Sequence, residues 1–152
     1  MAAVKKPLPD VFVEGARKGF NIACNSILPN VLMAFVIIQI LNVTGLLKIL
    51  GIVFTPVMAI FGLPGQAIMV LVAATMSMGG ATGAAASLIA GGTLSGKDVT
   101  ILLPSIYLMG SLVQYMGRLL GTAGVSSKHY PMMFAIALIN AALAMLVMRF
   151  FA

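Results

Sequence analysis

The sequence predicts an all-α integral membrane protein with about five transmembrane segments, including interrupted or re-entrant helices, and an N-terminal amphipathic interfacial helix. Three observations support this fold class. Of the 152 residues, 61% are hydrophobic and only 8% are charged, whereas a soluble domain has about a quarter of its residues charged. The mean hydropathy is +1.13. The apolar runs also leave room for four or five crossings of about 20 residues each.

The few charged residues narrow the function classes. Nine Lys and Arg against three Asp and Glu give a net charge of +6, and the positive residues lie mostly in the ends and loops. Such charges set orientation and contact anionic headgroups, so we expect membrane lipids, and no nucleic acid, as partners. A single cysteine, Cys24, and a single histidine, His129, make neither a disulfide nor a metal site. Without a catalytic constellation, we expect no enzyme activity and no cofactor.

The N-terminal region predicts a flexible arm over residues 1–9 and an interfacial helix over residues 10–27 that is capped by Asp10. Pro29 is expected to mark the bend into the bilayer. Lys and Arg residues before the first span predict a cytoplasmic N-terminus. The alternative for this helix is packing against a partner's cytoplasmic face. Its apolar stripe contains Phe12, Ala16, Phe20, Ala23 and Ile27.

Residues 28–152 are expected to form one transmembrane domain, beginning with a span over Val31–Leu47. Ile49–Phe61 has only 13 residues, with Pro56 inside it, so it either crosses at a kink or re-enters. A turn at residues 62–65 then leads to a second short run, Gln66–Met78, whose path is equally open. The side of the C-terminus depends on these alternatives.

The second half of the domain contains a polar loop, a second interrupted segment and one clean span. Asp98 is expected to cap the helix that begins at Val99. This helix runs to Met109 and is followed by a short run, Leu112–Leu120. Met132–Phe151 is the clearest transmembrane helix, polar only at Asn140 before Arg149.

The stretch from Met76 to Gly92 has almost no large side chains, although the chain around it is very apolar. Between Gly79 and Ala86 every residue is Gly, Ala or Thr. Consecutive glycines weaken a helix by about 1 kcal/mol each relative to alanine, and small residues also allow close helix packing. The stretch therefore predicts either a broken helix at the functional centre or a tight helix crossing. At an offset of 31, Leu71–Gly79 resembles Leu102–Gly110, which suggests a repeated interrupted helix.

Polar and small residues around the two predicted breaks are the candidate binding residues. Hydroxyls, freed backbone N–H groups and a helix dipole would suit a small polar or anionic solute. Arg118 would bind a carboxylate or phosphate, or would instead extend to the interface. The candidate substrate-binding residues are Thr75, Ser77, Met78, Gly79, Gly80, Thr82, Gly83, Gly110, Ser111, Gln114 and Arg118.

Seven motifs are spread over nearly the whole chain: Gly15–Ala23, Leu28–Leu41, Thr44–Leu47, Pro56–Gly65, Met76–Leu88, Asp98–Gly110 and Gly117–Ala123. Together these motifs resemble the nucleoside recognition, or Gate, domain family and its spore maturation protein B-like group. The resemblance implies a multi-pass bacterial inner-membrane protein with interrupted helices, acting as a half-transporter beside a second Gate-domain protein. A relative has Asn-Pro-Val-Gln where this chain reads Ser-Leu-Val-Gln, so the chain lacks a proline that would impose a break at 111–112.

Two functional hypotheses follow. The first is a transporter subunit that works with a second Gate protein or as a homodimer, with its solute near the bilayer middle at Met78–Gly83 and Gly110–Gln114. The second is a scaffold that carries no solute and only assembles helices through two Gly-x-x-x-Gly faces, Gly79 with Gly83 and Gly117 with Gly121.

Overall fold

The computed structural model describes residues 7–116, 120 and 123–152, and all regular secondary structure among them is helical. The helices are α1 (Leu8–Ile22), α2 (Leu28–Val43), α3 (Leu46–Ala59), α4 (Ile68–Met76), α5 (Met78–Ala90), α6 (Gly96–Met109), α7 (Leu112–Tyr115) and α8 (Tyr130–Phe151). Within this part of the chain, two helical stretches, Leu8–Val43 and Ser127–Phe151, are long and apolar enough to cross a membrane. The class of helical membrane protein is thus supported, whereas the count of five crossings stays a prediction.

The N-terminal helix is longer and more continuous than the sequence predicts. It begins at Leu8 after an N-cap at Pro7, and Asp10 lies in its first turn without making a capping bond. The predicted arm over residues 1–9 therefore extends too far, and residues 1–6 lie outside the described chain. The predicted capping role of Asp10 is wrong because the helix begins two residues earlier, which places Asp10 inside the first turn. Its charge still interacts favourably with the helix dipole.

The chain stays helical through Pro29, because a π-helical segment over Ala23–Ile27 joins α1 to α2. The predicted bend into the bilayer stays a prediction. Proline cannot donate to the carbonyl four residues earlier, and its ring crowds that carbonyl. The wider π turn removes this conflict: the N–H of Leu28 donates to the Ala23 carbonyl, five residues earlier. One helical stretch of 36 residues therefore runs from Leu8 to Val43.

Helix α2 ends where the sequence predicts, near Gly45, which has a φ of +77°. The hydroxyl of Thr44 donates to the Ile40 carbonyl at 2.8 Å and lies 3.2 Å from the Leu41 carbonyl, one of the last carbonyls of α2. Helix α3 follows at once, with Pro56 inside it. At 1.5 Å per residue its 14 residues reach about 21 Å, short of a hydrocarbon core about 30 Å thick.

The chain turns tightly between α3 and α4. A 3₁₀ turn at Gly65–Ala67 packs against α3, where the backbones of Gly65 and Gly51 touch. A Cβ at Gly65 would lie 1.8 Å from the Gly51 carbonyl oxygen. That oxygen already accepts a hydrogen bond of 2.7 Å from the Thr55 hydroxyl. The absence of a side chain at Gly65 therefore allows this contact.

The predicted interruption between α4 and α5 exists, but it lies at Ser77 rather than at Met78–Gly83. Ser77 is extended, with φ −160° and ψ 131°, and its hydroxyl oxygen accepts a 3.3 Å bond from the N–H of Gly80. Serine is a strong N-cap residue. Gly79 and Gly80 fall in the first turn of α5, where the N–H groups lack intrahelical acceptors in any case.

Helix α6 begins at Gly96, earlier than predicted, and its N-cap is Ser95 rather than Asp98. Ser95 and Asp98 form a reciprocal capping box: the Ser95 hydroxyl accepts from the Asp98 N–H, and the Asp98 carboxylate accepts from the Ser95 N–H at 2.8 Å. Asp98 therefore supports the cap without being the cap residue.

The second predicted interruption is confirmed at Gly110–Ser111, between α6 and α7. It forms without a proline at 112, since Ser111 adopts the left-handed conformation with φ 62°. The sequence repeat pairs Gly79 with Gly110, but the breaks lie at Ser77 and Gly110–Ser111, so an offset of 31 does not align the two breaks.

Helix α8 matches the predicted C-terminal span and begins at Tyr130, after a 3₁₀ turn at Ser127–His129. Helix α8 packs on α6, and its buried residues are Ala141 and Met145. Near its end, the Arg149 guanidinium donates to the Ile60 carbonyl at the C-terminus of α3. A cation at this position also complements the helix dipole. Helix α8 is thereby held to both α3 and α6.

Candidate functional site

The two helix interruptions meet in space. The backbone N–H of Ser111 donates to the Ala74 carbonyl at 2.9 Å, and the side-chain amide of Gln114 donates to the Met76 carbonyl at 3.1 Å. Both acceptors lie in the last turn of α4, where the carbonyls have no N–H donor within their own helix. The second break therefore satisfies backbone groups that the first break leaves open. We call this contact the break junction, defined by Ala74, Met76, Ser111 and Gln114.

The backbone of the break junction holds one unfavourable conformation. A left-handed residue other than glycine costs about 1–2 kcal/mol, and Ser111 is the one such residue in the described chain. The bond from its N–H to the Ala74 carbonyl depends on this conformation, so the contact with α4 offsets the cost. The strain is thus located at the point where the two breaks touch.

Gly110, next to the strained residue, is closely packed. Gly110 is buried, and a Cβ there would lie 2.8 Å from the Met78 Cε and 3.1 Å from the Ile106 carbonyl oxygen. Met78 is the first residue of α5, so α5 also contacts the second break. Of the predicted site residues, the structure therefore brings together Ser77 and Met78 with Gly110, Ser111 and Gln114.

The predicted hydroxyl ligands bond to their own helices. Thr75 donates to the Val72 carbonyl at 2.7 Å, and Thr82 donates to the Met78 carbonyl at 2.8 Å. Each hydroxyl oxygen keeps its capacity to accept, but its proton is already used. Thr82 is exposed, and Thr75 is half-buried.

Gly79 and Gly83 face α2. A Cβ at Gly79 would have the Asn30 Cβ at 3.5 Å, an ordinary contact. A Cβ at Gly83 would lie only 2.9 Å from the Val31 carbonyl oxygen. Gly83 is therefore part of a close helix crossing of the kind that small residues allow.

Gly80 and Ser77 border a cavity of about 260 Å³ between α2, α4 and α5. Its other walls are apolar, formed by side chains such as Met33, Ile37 and Met76. A cavity of this size is slightly below the usual range of about 300–1,000 Å³ for small-molecule sites. Its chemistry suits an alkyl chain better than a polar solute, so it does not extend the break junction into a polar pocket.

Arg118, Gly117 and Gly121 lie outside the described residues, so the predicted electrostatic role of Arg118 and the second Gly-x-x-x-Gly face stay predictions. The sequence reasoning missed Ala74 and Met76, which contribute backbone carbonyls to the junction. No side-chain signal marks a residue that acts through its carbonyl. Their position in the last turn before a break is the one signal that could have indicated them.

A family model described as "Gate: Nucleoside recognition" matches residues 24–147. The chain belongs to the Gate family. The match covers α2 to α8 almost completely and so includes both interruptions of the break junction. The family resemblance carried by the sequence motifs is thereby confirmed, whereas the finer spore maturation protein B-like grouping stays a prediction.

Curated relatives agree with the Gate assignment. The chain is 57% identical over 146 residues to proteins named "Inner membrane protein YjiG" from Escherichia coli strain K12 and from Escherichia coli O157:H7. Each match covers 96% of this chain and 95% of the relative. No solved structure matches the chain significantly. The Gate protein described here is therefore similar, over nearly its full length, to proteins named as inner-membrane proteins.

Proposed function

We propose that this Gate-family chain is a subunit of a bacterial inner-membrane transporter for a small polar or anionic solute. The contact between the two helix interruptions is the observation that carries the proposal. Paired interrupted helices are a recurring basis of transporter binding sites, because half-helix ends bring partial charges to membrane depth. The names of the relatives support the location in the inner membrane.

The ends of the half-helices would provide the polar groups for the solute. The first turn of α5 directs backbone N–H groups and a positive dipole end toward the break, which favours negative charge. Gln114 adds an amide with free acceptor capacity, since its nitrogen is used on Met76. Arg118 would act as a secondary electrostatic element for an anionic group.

The exposed position of Gln114 on this single chain suggests that another subunit covers the break junction. A polar amide facing lipid is unfavourable. In the proposed transporter, a second Gate-domain protein or a second copy of this chain would cover the junction. The chain would be multi-pass, with its N-terminus cytoplasmic, as Lys5, Lys6, Arg17 and Lys18 indicate.

Nucleosides are the first solutes to test, because the family description names nucleoside recognition. We expect cells that express the chain to take up radiolabelled uridine or adenosine faster than cells with an empty vector. The Gln114→Leu variant should lower this uptake by about tenfold, the effect of losing one good polar contact to the solute. Its fold should persist, since a neutral hydrogen bond contributes about 0.5–1.5 kcal/mol to stability.

Gln39→Leu is the matched control for this measurement. It removes the same amide from an exposed position near the end of α2, away from the break junction, and uptake should be unchanged. Thermal stability in detergent should be measured for both variants, so that a folding defect is separated from a binding defect. Unchanged uptake over a broad panel of nucleosides and organic anions, together with no solute-induced thermal shift, would contradict the transporter proposal.

A second candidate, a scaffold that carries no solute, is favoured by the close approach of Gly83 to Val31. We expect Gly83→Leu to disrupt the crossing of α2 and α5 and to lower the yield of folded protein under either proposal. Thr82→Val separates the two, because Thr82 is exposed one residue away. The transporter proposal expects a normally folded Thr82→Val protein with reduced uptake, whereas the scaffold proposal expects no functional change; folded yield and uptake measure both.

A further inference from the structure

The outer face of α8 carries a regular apolar seam. Its residues recur at alternating spacings of three and four, which is the heptad pattern of helices that pack side by side. We call this set the α8 seam. Its apolar members are between 41% and 88% exposed. The seam consists of Met133, Ile136, Asn140, Leu143, Val147 and Phe150.

The opposite face of α8 packs against the rest of the chain. Ala141 and Met145 are buried against the rest of the chain, with Leu138 and Ala142 beside them in the same groove. At 100° per residue, these positions lie on the far side of the helix from Asn140 and Ile136. The α8 seam is therefore not the surface through which α8 packs on α6.

Asn140 is the polar residue at the centre of this seam. It is the eleventh of the 22 residues of α8, so it lies near mid-depth if α8 crosses the bilayer. Its side chain is exposed, and no residue of the described chain makes a hydrogen bond with it. An amide in hydrocarbon lacks any solvent partner, and transmembrane asparagines commonly bond across helices. Among the described residues, the α8 seam therefore has no partner that supplies a hydrogen-bonding group at mid-depth.

We infer that the α8 seam is the interface of a parallel homodimer in which Asn140 bonds to Asn140 of a second copy. Two copies that insert with the same orientation are related by a two-fold axis along the membrane normal, which places identical residues at identical depth. An amide side chain is both a donor and an acceptor and is therefore self-complementary across such an axis. A polar residue at one core position also sets the register of a two-helix seam. The inference does not depend on the proposed transport activity.

Removal of the amide is the direct test. We expect Asn140→Leu to weaken dimerisation of the full chain in detergent by about tenfold or more, because one or two interhelical hydrogen bonds are lost. Asn140→Gln keeps a donor and an acceptor and should retain most of the dimer. Gln39→Leu removes an exposed amide from α2 and should change nothing. Sedimentation over a range of protein-to-detergent ratios measures the dissociation constant for each variant.

Cysteine cross-linking in membranes tests the geometry without relying on dimer stability. In a Cys24→Ser background, which removes the exposed native cysteine, Ile136→Cys and Leu143→Cys should form disulfide-linked dimers on mild oxidation. Leu138→Cys and Ala142→Cys, on the opposite face of α8, should not. A seam that does not cross-link, cross-linking on both faces, a dimer unaffected by Asn140→Leu, or linkage to a different protein would each overturn the inference.

Discussion

The Gly65→Ala variant is expected to lose most of its folded protein. A methyl group at residue 65 would lie 1.8 Å from the Gly51 carbonyl oxygen and 2.8 Å from the Thr55 hydroxyl oxygen. Neither atom can move cheaply, because the Thr55 hydroxyl donates to that carbonyl at 2.7 Å inside α3. Overpacking usually costs about 1–3 kcal/mol, and a clash between two backbones should exceed that range. Thermal stability and monodisperse yield in detergent measure the loss.

Two further glycine variants make this result specific. Gly51→Ala is on the other side of the same contact, but its methyl group meets the Gln66 side chain, with Nε2 at 2.6 Å. Because that side chain has several rotatable bonds, the expected destabilisation is smaller than for Gly65→Ala. Gly96→Ala adds the same methyl group in open space and should leave stability unchanged. Equal stability of the Gly65→Ala and Gly96→Ala proteins would refute the close backbone contact.

The sequence predicts that the helices are interrupted but misplaces one of the interruptions. Consecutive glycines suggest a weak point at Gly79–Gly80, since glycine disfavours helix. The break forms instead at Ser77, because a serine hydroxyl can cap the following helix whereas glycines in the first turn lose no intrahelical bond. Local helix propensity was outweighed by capping, and the small residues serve the crossing with α2.

The meeting of the two interruptions could not be predicted from local patterns. The bond between Ser111 and Ala74 joins residues that are distant in sequence and uses only backbone atoms. Gln114 was predicted as a site residue, but its acceptor, the Met76 carbonyl, carries no side-chain signal. Similarly, the helix continues through Pro29 because a local π turn accommodates the proline. Tertiary contacts and small backbone adjustments decide these features.

The Ser111→Pro variant is expected to destroy the break junction. Proline has no N–H to donate to the Ala74 carbonyl, where Ser111 now donates at 2.9 Å. Its ring also holds φ near −65°, whereas residue 111 has a φ of 62°. The variant therefore loses both the bond and the conformation, a combined cost of about 3 kcal/mol or more. The thermal stability in detergent should fall sharply and, if the transporter proposal holds, solute uptake should be lost.

Ser111→Gly is the matched control because it keeps the N–H and removes the conformational strain. Glycine adopts positive φ without a Cβ penalty, so stability should stay equal or rise by up to about 1 kcal/mol. Ser111→Val keeps the N–H as well but places a β-branched side chain in the left-handed region, and it should fall between the other two. This order of stability, Gly first, then Val, then Pro, follows only if residue 111 is left-handed and its N–H is bonded. A proline variant as stable as the glycine variant would show that the two interrupted helices do not meet there.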